Sequence, residues 1–356
     1  MSNITTPQAG RFANPDATVV DEPRLDPRIK AVLAVADSLA PGLDAPPLNV
    51  DYETCLQYAN EFERAAALPH PDLLANMPNF ASVNSSTEVI QGVDGDDISL
   101  FIDRPKNMDG PLPCIVHIHG GGMVIMTAED PDFIHWRKSL ADAGVVVVGV
   151  EYRNGAGRLG PHPFPAGLND CASAVKWVDQ NRSSLNISNI VLSGESGGGN
   201  LSLAITLQAK RDGWLDVISG VYAMCPYISG AYANPPVELP SLFENDGYML
   251  DMNMMSALVT VYDPSGDNLE NPLAWPYHAT TEELAGLPPH VISVNELDPL
   301  RDEGLVYYRK LLAAGVPTIG RTAHGTPHAG DVGFPEQTPD VYADAVRAVT
   351  GFAASL

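Results

Sequence analysis

The spacing of apolar positions changes along the chain, and each change predicts a different kind of element. Over "DPRIKAVLAVADSLA" (26–40) and "DYETCLQYANEFERAAA" (51–67) apolar residues recur every three to four positions, which gives a helix one apolar face. The proline-rich "PGLDAPPLNV" between them reads as a connector. After "LPHPDLLANMPNF" the segments shorten. "STEVIQG" and "ISLFIDRP" flank the turn signal "VDGDD" and predict a hairpin.

Strands and helices then alternate. "CIVHIHG", "VVVVGVEY", "NIVLSG" and "VISGVYAMCPY" read as strands, and "DPDFIHWRKSLADAG", "PAGLNDCASAVKWVDQNR" and "GGGNLSLAITLQAKRD" as the helices between them. "HVISVNE" (strand), "RDEGLVYYRKLLAAG" (helix), a short segment near "PTIGRT" and a helix over "PDVYADAVRAVTGFAAS" close the chain. This order predicts an α/β fold, a mostly parallel sheet with helices on both faces. Residues 230–277, rich in Pro, Asn, Tyr and Met, interrupt the alternation as an irregular insertion. A long insertion between core elements often forms a lid or a binding wall, and with the N-terminal helices it would roof a pocket.

Composition narrows the class. The 356 residues are 45% hydrophobic, enough for a large core. No apolar stretch approaches the roughly 20 residues of a membrane helix. "MSNITTPQAGRFANPD" has neither the basic start nor the apolar segment of a signal peptide, so the expected location is cytoplasmic. Cys55, Cys114, Cys171 and Cys225 form no Cys-x-x-Cys pair and are expected to be packing thiols. A formal charge of −24 argues against a nucleic-acid surface, because phosphate binding needs clustered Lys and Arg.

The chemistry concentrates in "NIVLSGESGGGN". Gly194-Glu195-Ser196-Gly197-Gly198 is G-x-S-x-G between a strand and a helix, a sharp turn that lifts a serine above the carboxyl edge of a sheet. A phosphate loop is excluded because no Gly-Lys-Ser/Thr follows, and a dinucleotide fingerprint because G-x-G-x-x-G is missing. A serine hydroxyl is a weak nucleophile and needs a base and an orienting carboxylate, in this context downstream as carboxylate and then histidine. "HVISVNELDPLRDEG" offers Glu296, Asp298 and Asp302 just past a strand, with Asp302 suited to capping the next helix. "RTAHGTPHAGD" offers His324 and His328. In "HIHGGGM", Gly120, Gly121 and Gly122 could present backbone N–H groups to an oxyanion. A metal pair at His117 and His119 is the competing reading there, and it lacks a third ligand at metal spacing.

With "HGGG", "GESGG", "ELDPLRDEG" and the C-terminal histidine loop in this order, the chain resembles the hormone-sensitive-lipase (bacterial type IV) family of esterases from about residue 85 onward. The resemblance implies an α/β-hydrolase fold. It implies Ser196 as nucleophile, Asp298 as carboxylate and His328 as base, with His324 the lesser alternative. The oxyanion donors would be the N–H groups of Gly121, Gly122 and Gly197, with His119 bracing the glycine loop. It also implies a helical cap segment over residues 1–80 and a cap insertion over 230–277. The catalytic core would then occupy 81–229 and 278–356.

Met123, Tyr227, Tyr248, Met249 and Leu300 are the expected pocket residues. The implied substrate is a small carboxylic ester, short-chain or a lactone, with no cofactor, no metal, no membrane, and a monomer or homodimer as the working unit. Two departures from the family pattern stand out. "HAGD" replaces the usual Gly-Phe after the histidine, and "EYRNGAGRLGPHPFPA" lengthens a loop near the site. An amidase or other acyl-transfer enzyme on the same three residues, and a non-catalytic binder of a small ligand, are the rival readings.

Overall fold

A computed structural model describes residues 9–39, 43–66 and 78–356. Its eight strands are β1 (Val83–Gln91), β2 (Asp97–Pro105), β3 (Leu112–Ile118), β4 (Val146–Glu151), β5 (Ile187–Glu195), β6 (Gly220–Met224), β7 (His290–Asn295) and β8 (Thr318–Ala323). They form one sheet in the order β1-β2-β4-β3-β5-β6-β7-β8. The first two pairings, β1 with β2 and β2 with β4, are antiparallel, and every other pairing is parallel.

Helices longer than a single turn are α1 (Pro27–Leu39), α2 (Tyr52–Ala66), α3 (Pro131–Asp142), α4 (Ala166–Gln180), α5 (Gly197–Asp212), α6 (Met252–Tyr262), α7 (Arg301–Ala313) and α8 (Pro339–Ala354). The inner parallel strands β3 to β7 are largely apolar on both sides because both faces are covered, whereas β8, at the far edge, is polar and half-exposed. Cys114, Val116, Ile118, Val146 and Val148 point into the larger core, which Val175 of α4, Leu203 of α5 and Tyr307 of α7 also fill. The intervening Ile115 and Val147 point into a second core with Trp136 and Leu140 of α3 and Val349 of α8. The hairpin edge differs: β1 is exposed along most of its length, as an outer strand with solvent on one side should be.

Within 230–277, read from the sequence as irregular, the chain forms α6. Asp251 is its N-cap, accepting the Met254 N–H at 2.9 Å. α2 packs against α6, so the N-terminal helices and the insertion meet in space. Most of "LPHPDLLANMPNF", after which the segments shorten, lies outside the described residues.

Parallel strands carry their carboxyl ends to one edge of the sheet, the usual place for ligand chemistry in such folds. The residues following β3, β5, β6, β7 and β8 include Gly120–Gly122, Ser196, Cys225, Asp298 and His328 respectively. The glycine loop, Ser196, Asp298 and His328 thus lie at that edge, together with Cys225.

Candidate active site

β5 runs directly into α5 through Ser196, whose backbone stands at φ 56°, ψ −116°. A non-glycine residue in such a region costs on the order of 1–3 kcal/mol and persists only when its surroundings fix it. Here they do. The Ser196 N–H donates to the Met224 carbonyl at 2.9 Å, and the Ser196 carbonyl accepts from Tyr227 at 3.1 Å and Asn200 at 3.0 Å. The flanking glycines are required sterically. A Cβ on Gly194 would lie 2.6 Å from the Gly198 carbonyl oxygen, and one on Gly198 would collide with the Ile118 carbonyl. The turn is this tight because the helix start is pressed against the end of β3.

The carboxylate and imidazole come from neighbouring loops. Asp298 is fully buried. Its Oδ2 lies 2.8 Å from His328 Nδ1, and its Oδ1 accepts the Leu300 N–H at 2.9 Å. The two loops are tied together at their bases: Leu297 N–H donates to the Thr326 carbonyl at 3.0 Å, and the Asn295 amide donates to Thr326 and Asp331. Burial by itself would pull His328 toward the neutral form. The adjacent Asp298 carboxylate outweighs it and holds the imidazole well above the ordinary histidine range.

Cys225, at the end of β6 with φ 34°, completes the contact between strands. Its sulfur and the donor atoms of Asp298 and His328 lie within 4.8 Å of one another. The segment Met224–Tyr227 therefore touches both Ser196 and His328. These three side chains are also the one potential metal-ligating trio among the described residues. Asp298 and His328 are already engaged with each other in it.

The glycine loop lies beside the serine turn. The positions nearest a Cβ built on Gly197 are the backbone nitrogens of Met123, at 2.6 Å, and Gly122, at 2.8 Å. Among the described residues, the N–H groups of Gly121 and Gly122 make no hydrogen bond. That of Gly197, in the first turn of α5, has no intrahelical acceptor. Unused N–H groups gathered at a helix start favour developing negative charge.

Sequence reasoning missed Glu195. Its Oε1 accepts the Gly120 N–H at 3.0 Å and its Oε2 lies 3.1 Å from His117 Nε2, so this carboxylate anchors the start of the glycine loop. The signal was the carboxylate at the x position of G-x-S-x-G, with a histidine on the adjoining strand. His119 stacks on Tyr152 at 4.3 Å, and the Tyr152 hydroxyl donates to the His119 carbonyl. Burial pulls His119 down to about 3, so it stays neutral.

The remaining predicted residues scatter. His324 is largely exposed and pairs with Glu296 at 3.2 Å, away from Asp298. Asp302 lies inside the first turn of α7 rather than at its cap. Its Oδ2 accepts the Ser241 N–H at 2.7 Å because that contact ties the helix to the inserted segment. Met123 is buried at φ 61° beside Gly197, whereas Met249 is exposed. Tyr227 stacks on Tyr232 and gives its hydroxyl to the Met255 carbonyl. Leu300 is core. Tyr248 packs with Leu25, Ile29, Leu297 and Phe334, and its hydroxyl donates to Glu22.

A strained serine between strand and helix, and a buried carboxylate holding an imidazole on loops two and three strands away, define the class. The chain belongs to the alpha/beta hydrolase fold family, whose match spans residues 115–331. It is similar to the solved structure of brefeldin A esterase, described as a bacterial homologue of human hormone-sensitive lipase. The two are 44% identical, with a TM-score of 0.91 and coverage of 98% of this chain and 99% of that one. Esterase LipI of Mycobacterium tuberculosis is 30% identical over 91% of this chain and 93% of its own. Carboxylesterase NlhH of the same species is 34% identical over 63% of this chain and 69% of its own. The resemblance carried by the four motifs therefore extends over nearly the whole chain, including its first eighty residues. No helix among the described residues is long and apolar enough to cross a membrane.

Proposed function

We propose that the protein is a serine carboxylesterase in which Ser196 attacks the ester carbonyl, His328 accepts its proton, and Asp298 holds and stabilises the imidazolium. The observation that carries this reading is the 2.8 Å contact from fully buried Asp298 to His328, on the same sheet edge as a serine held at φ 56°. The kinship with proteins named as esterases supports the reaction class.

Negative charge moves to the carbonyl oxygen as the tetrahedral intermediate forms, and the N–H groups of Gly121, Gly122 and Gly197 donate hydrogen bonds to it. Losing one such donor typically costs about 2.7–4 kcal/mol. His328 then protonates the leaving alcohol, and an acyl group remains on the Ser196 oxygen. Water, deprotonated by His328, attacks that acyl group and regenerates the serine with release of the acid. Met123, beside the oxyanion donors, forms part of the acyl wall. Short-chain esters and lactones are the proposed substrates.

Hydrolysis of p-nitrophenyl acetate, butyrate and decanoate by the wild type and by Ser196→Ala tests the reading. Short-chain turnover that Ser196→Ala abolishes is expected. Activity surviving in Ser196→Ala would remove the nucleophile assignment, and a folded but inactive wild type would favour a binding protein.

A further inference from the structure

The loop that carries the proposed oxyanion donors is held in an unfavourable conformation. Gly121 stands at φ 92° and Gly122 at φ 61°, and they are followed by two non-glycine residues in the same region, Met123 at 61° and Met126 at 72°. Such a loop keeps its shape only if neighbours over-determine it. Three of its restraints come from the segment after β4. Gly155 N–H donates to Met123 O at 3.0 Å, Ala156 N–H to Val124 O at 2.8 Å, and the Asn154 amide to Met126 O at 2.6 Å.

Besides the Glu195 anchor at Gly120, a further restraint comes from far away in sequence. Glu63 of α2 accepts the Met126 N–H on Oε1 at 3.0 Å. Its other oxygen, Oε2, accepts the Arg158 N–H at 2.7 Å, and one turn earlier Asn60 Oδ1 accepts the Gly157 N–H at 2.9 Å. Glu63 is buried, at 5% exposure. One desolvated carboxylate thus clips the glycine loop to the segment that supplies the Gly155, Ala156 and Asn154 contacts. Hydrogen bonds to an ionised acceptor are stronger than neutral ones, and an amide left unpaired in a buried place is costly.

We propose that Glu63 is a positioning residue for the reaction: by seating α2 on both loops it fixes where the Gly121 and Gly122 N–H groups stand. The N-terminal helix then contributes to transition-state stabilisation as well as covering the site. This rests on the reading of those N–H groups as oxyanion donors.

Kinetics of Glu63→Ala, Glu63→Gln and Asn60→Ala on p-nitrophenyl butyrate test it, alongside inhibition by an alkyl trifluoromethyl ketone. The serine adds to that ketone and leaves an oxyanion. Misplaced donors are expected to lower kcat of Glu63→Ala by between about ten- and a hundred-fold, with KM within about threefold. Inhibition by the ketone should weaken by the same factor as kcat/KM. Competitive inhibition by butyrate, which needs no tetrahedral adduct, should stay unchanged. Glu63→Gln, which keeps one acceptor oxygen, should fall between Glu63→Ala and wild type. An unchanged kcat, or a loss confined to KM, overturns the proposal. If Glu63→Ala does not fold, Glu63→Gln and Asn60→Ala decide by the same criteria. Wild type that the ketone fails to inhibit, or inhibition surviving Ser196→Ala, would instead sink the underlying reading of the site.

Discussion

His328 offers the sharpest expectation at the scale of one residue. Desolvation disfavours its charged form, Asp298 favours it more, and the balance holds the imidazole above the ordinary histidine value. A general base must be neutral, so activity is lost as pH falls through this raised midpoint. The pH profile of kcat/KM is therefore expected to have its acidic limb above about 6.5. Asp298→Asn removes the opposing charge, so the limb should move to lower pH while kcat drops by roughly 10⁴-fold, as it does when a triad carboxylate is neutralised elsewhere. A pH–rate series on both proteins checks this; an acidic limb that stays in place in Asp298→Asn would separate Asp298 from the titration. Ser196 stood out from G-x-S-x-G alone, whereas Asp298 and His328 were singled out by the family resemblance, since Glu296, Asp302 and His324 stood beside them. Glu195 and Glu63 were not legible in the sequence, since they hold backbone N–H groups, and for Glu195 also a histidine on the adjoining strand, that only folding brings to them.

The serine turn is the element that depends most on what its residues lack. A Cβ at Gly198 would fall on the Ile118 carbonyl, which is backbone in a central strand and cannot move aside. Gly198→Ala is expected to destabilise the protein by about 1–3 kcal/mol, the usual cost of overpacking. It should also lower kcat, because the start of α5 shifts with it. Gly213→Ala is a useful contrast. Gly213 ends α5 at φ 78° with open space around its Cβ position, so only the left-handed backbone penalty applies, about 1–2 kcal/mol, with no effect on kcat. Thermal unfolding and steady-state kinetics on the two variants separate crowding from backbone preference. α6 shows the limit of reading elements from pattern. The prolines and asparagines around it made the segment read as irregular, and they hid a three-turn helix that packs on α2.

Stability of the whole molecule should depend on pH through a group that plays no part in the chemistry. Glu303 is buried with its Oε1 accepting from the Ile228 N–H at 2.6 Å and from the Tyr232 hydroxyl at 2.9 Å. Burial pushes its carboxyl up to about 7. The folded state therefore binds this proton more tightly than the unfolded chain does, and stability falls as pH rises from the ordinary glutamate range toward 7. The melting temperature is expected to decline across that window. Glu303→Gln should flatten the decline and melt higher than wild type by a few degrees at pH 8, on the order of 1–2 kcal/mol. Parallel slopes in the two proteins would assign the pH dependence to other groups. Glu151, also raised to about 7 by burial, remains in both proteins and supplies the residual slope.

By itself the sequence determined the alternation of elements, the parallel core and the serine turn, because these follow from local periodicity and from glycines at fixed offsets. It also determined the order in which serine, carboxylate and histidine appear, since strand ends deliver them in chain order. Tertiary structure alone decided which groups meet. "ELDPLRDEG" offers Glu296, Asp298 and Asp302, with Asp302 suited to a cap and Asp298 implied by the family resemblance, and in the folded chain the loop tied down by Asn295 and Thr326 sets Asp298 against His328. Tyr227, Tyr248 and Leu300 read as pocket residues, and folding packed them into clusters with residues up to about 220 positions away, as in the hydroxyl contact from Tyr248 to Glu22. Local propensity fixes what an element is. The long-range packing of buried polar groups, each needing a partner that no local pattern specifies, fixes what it does.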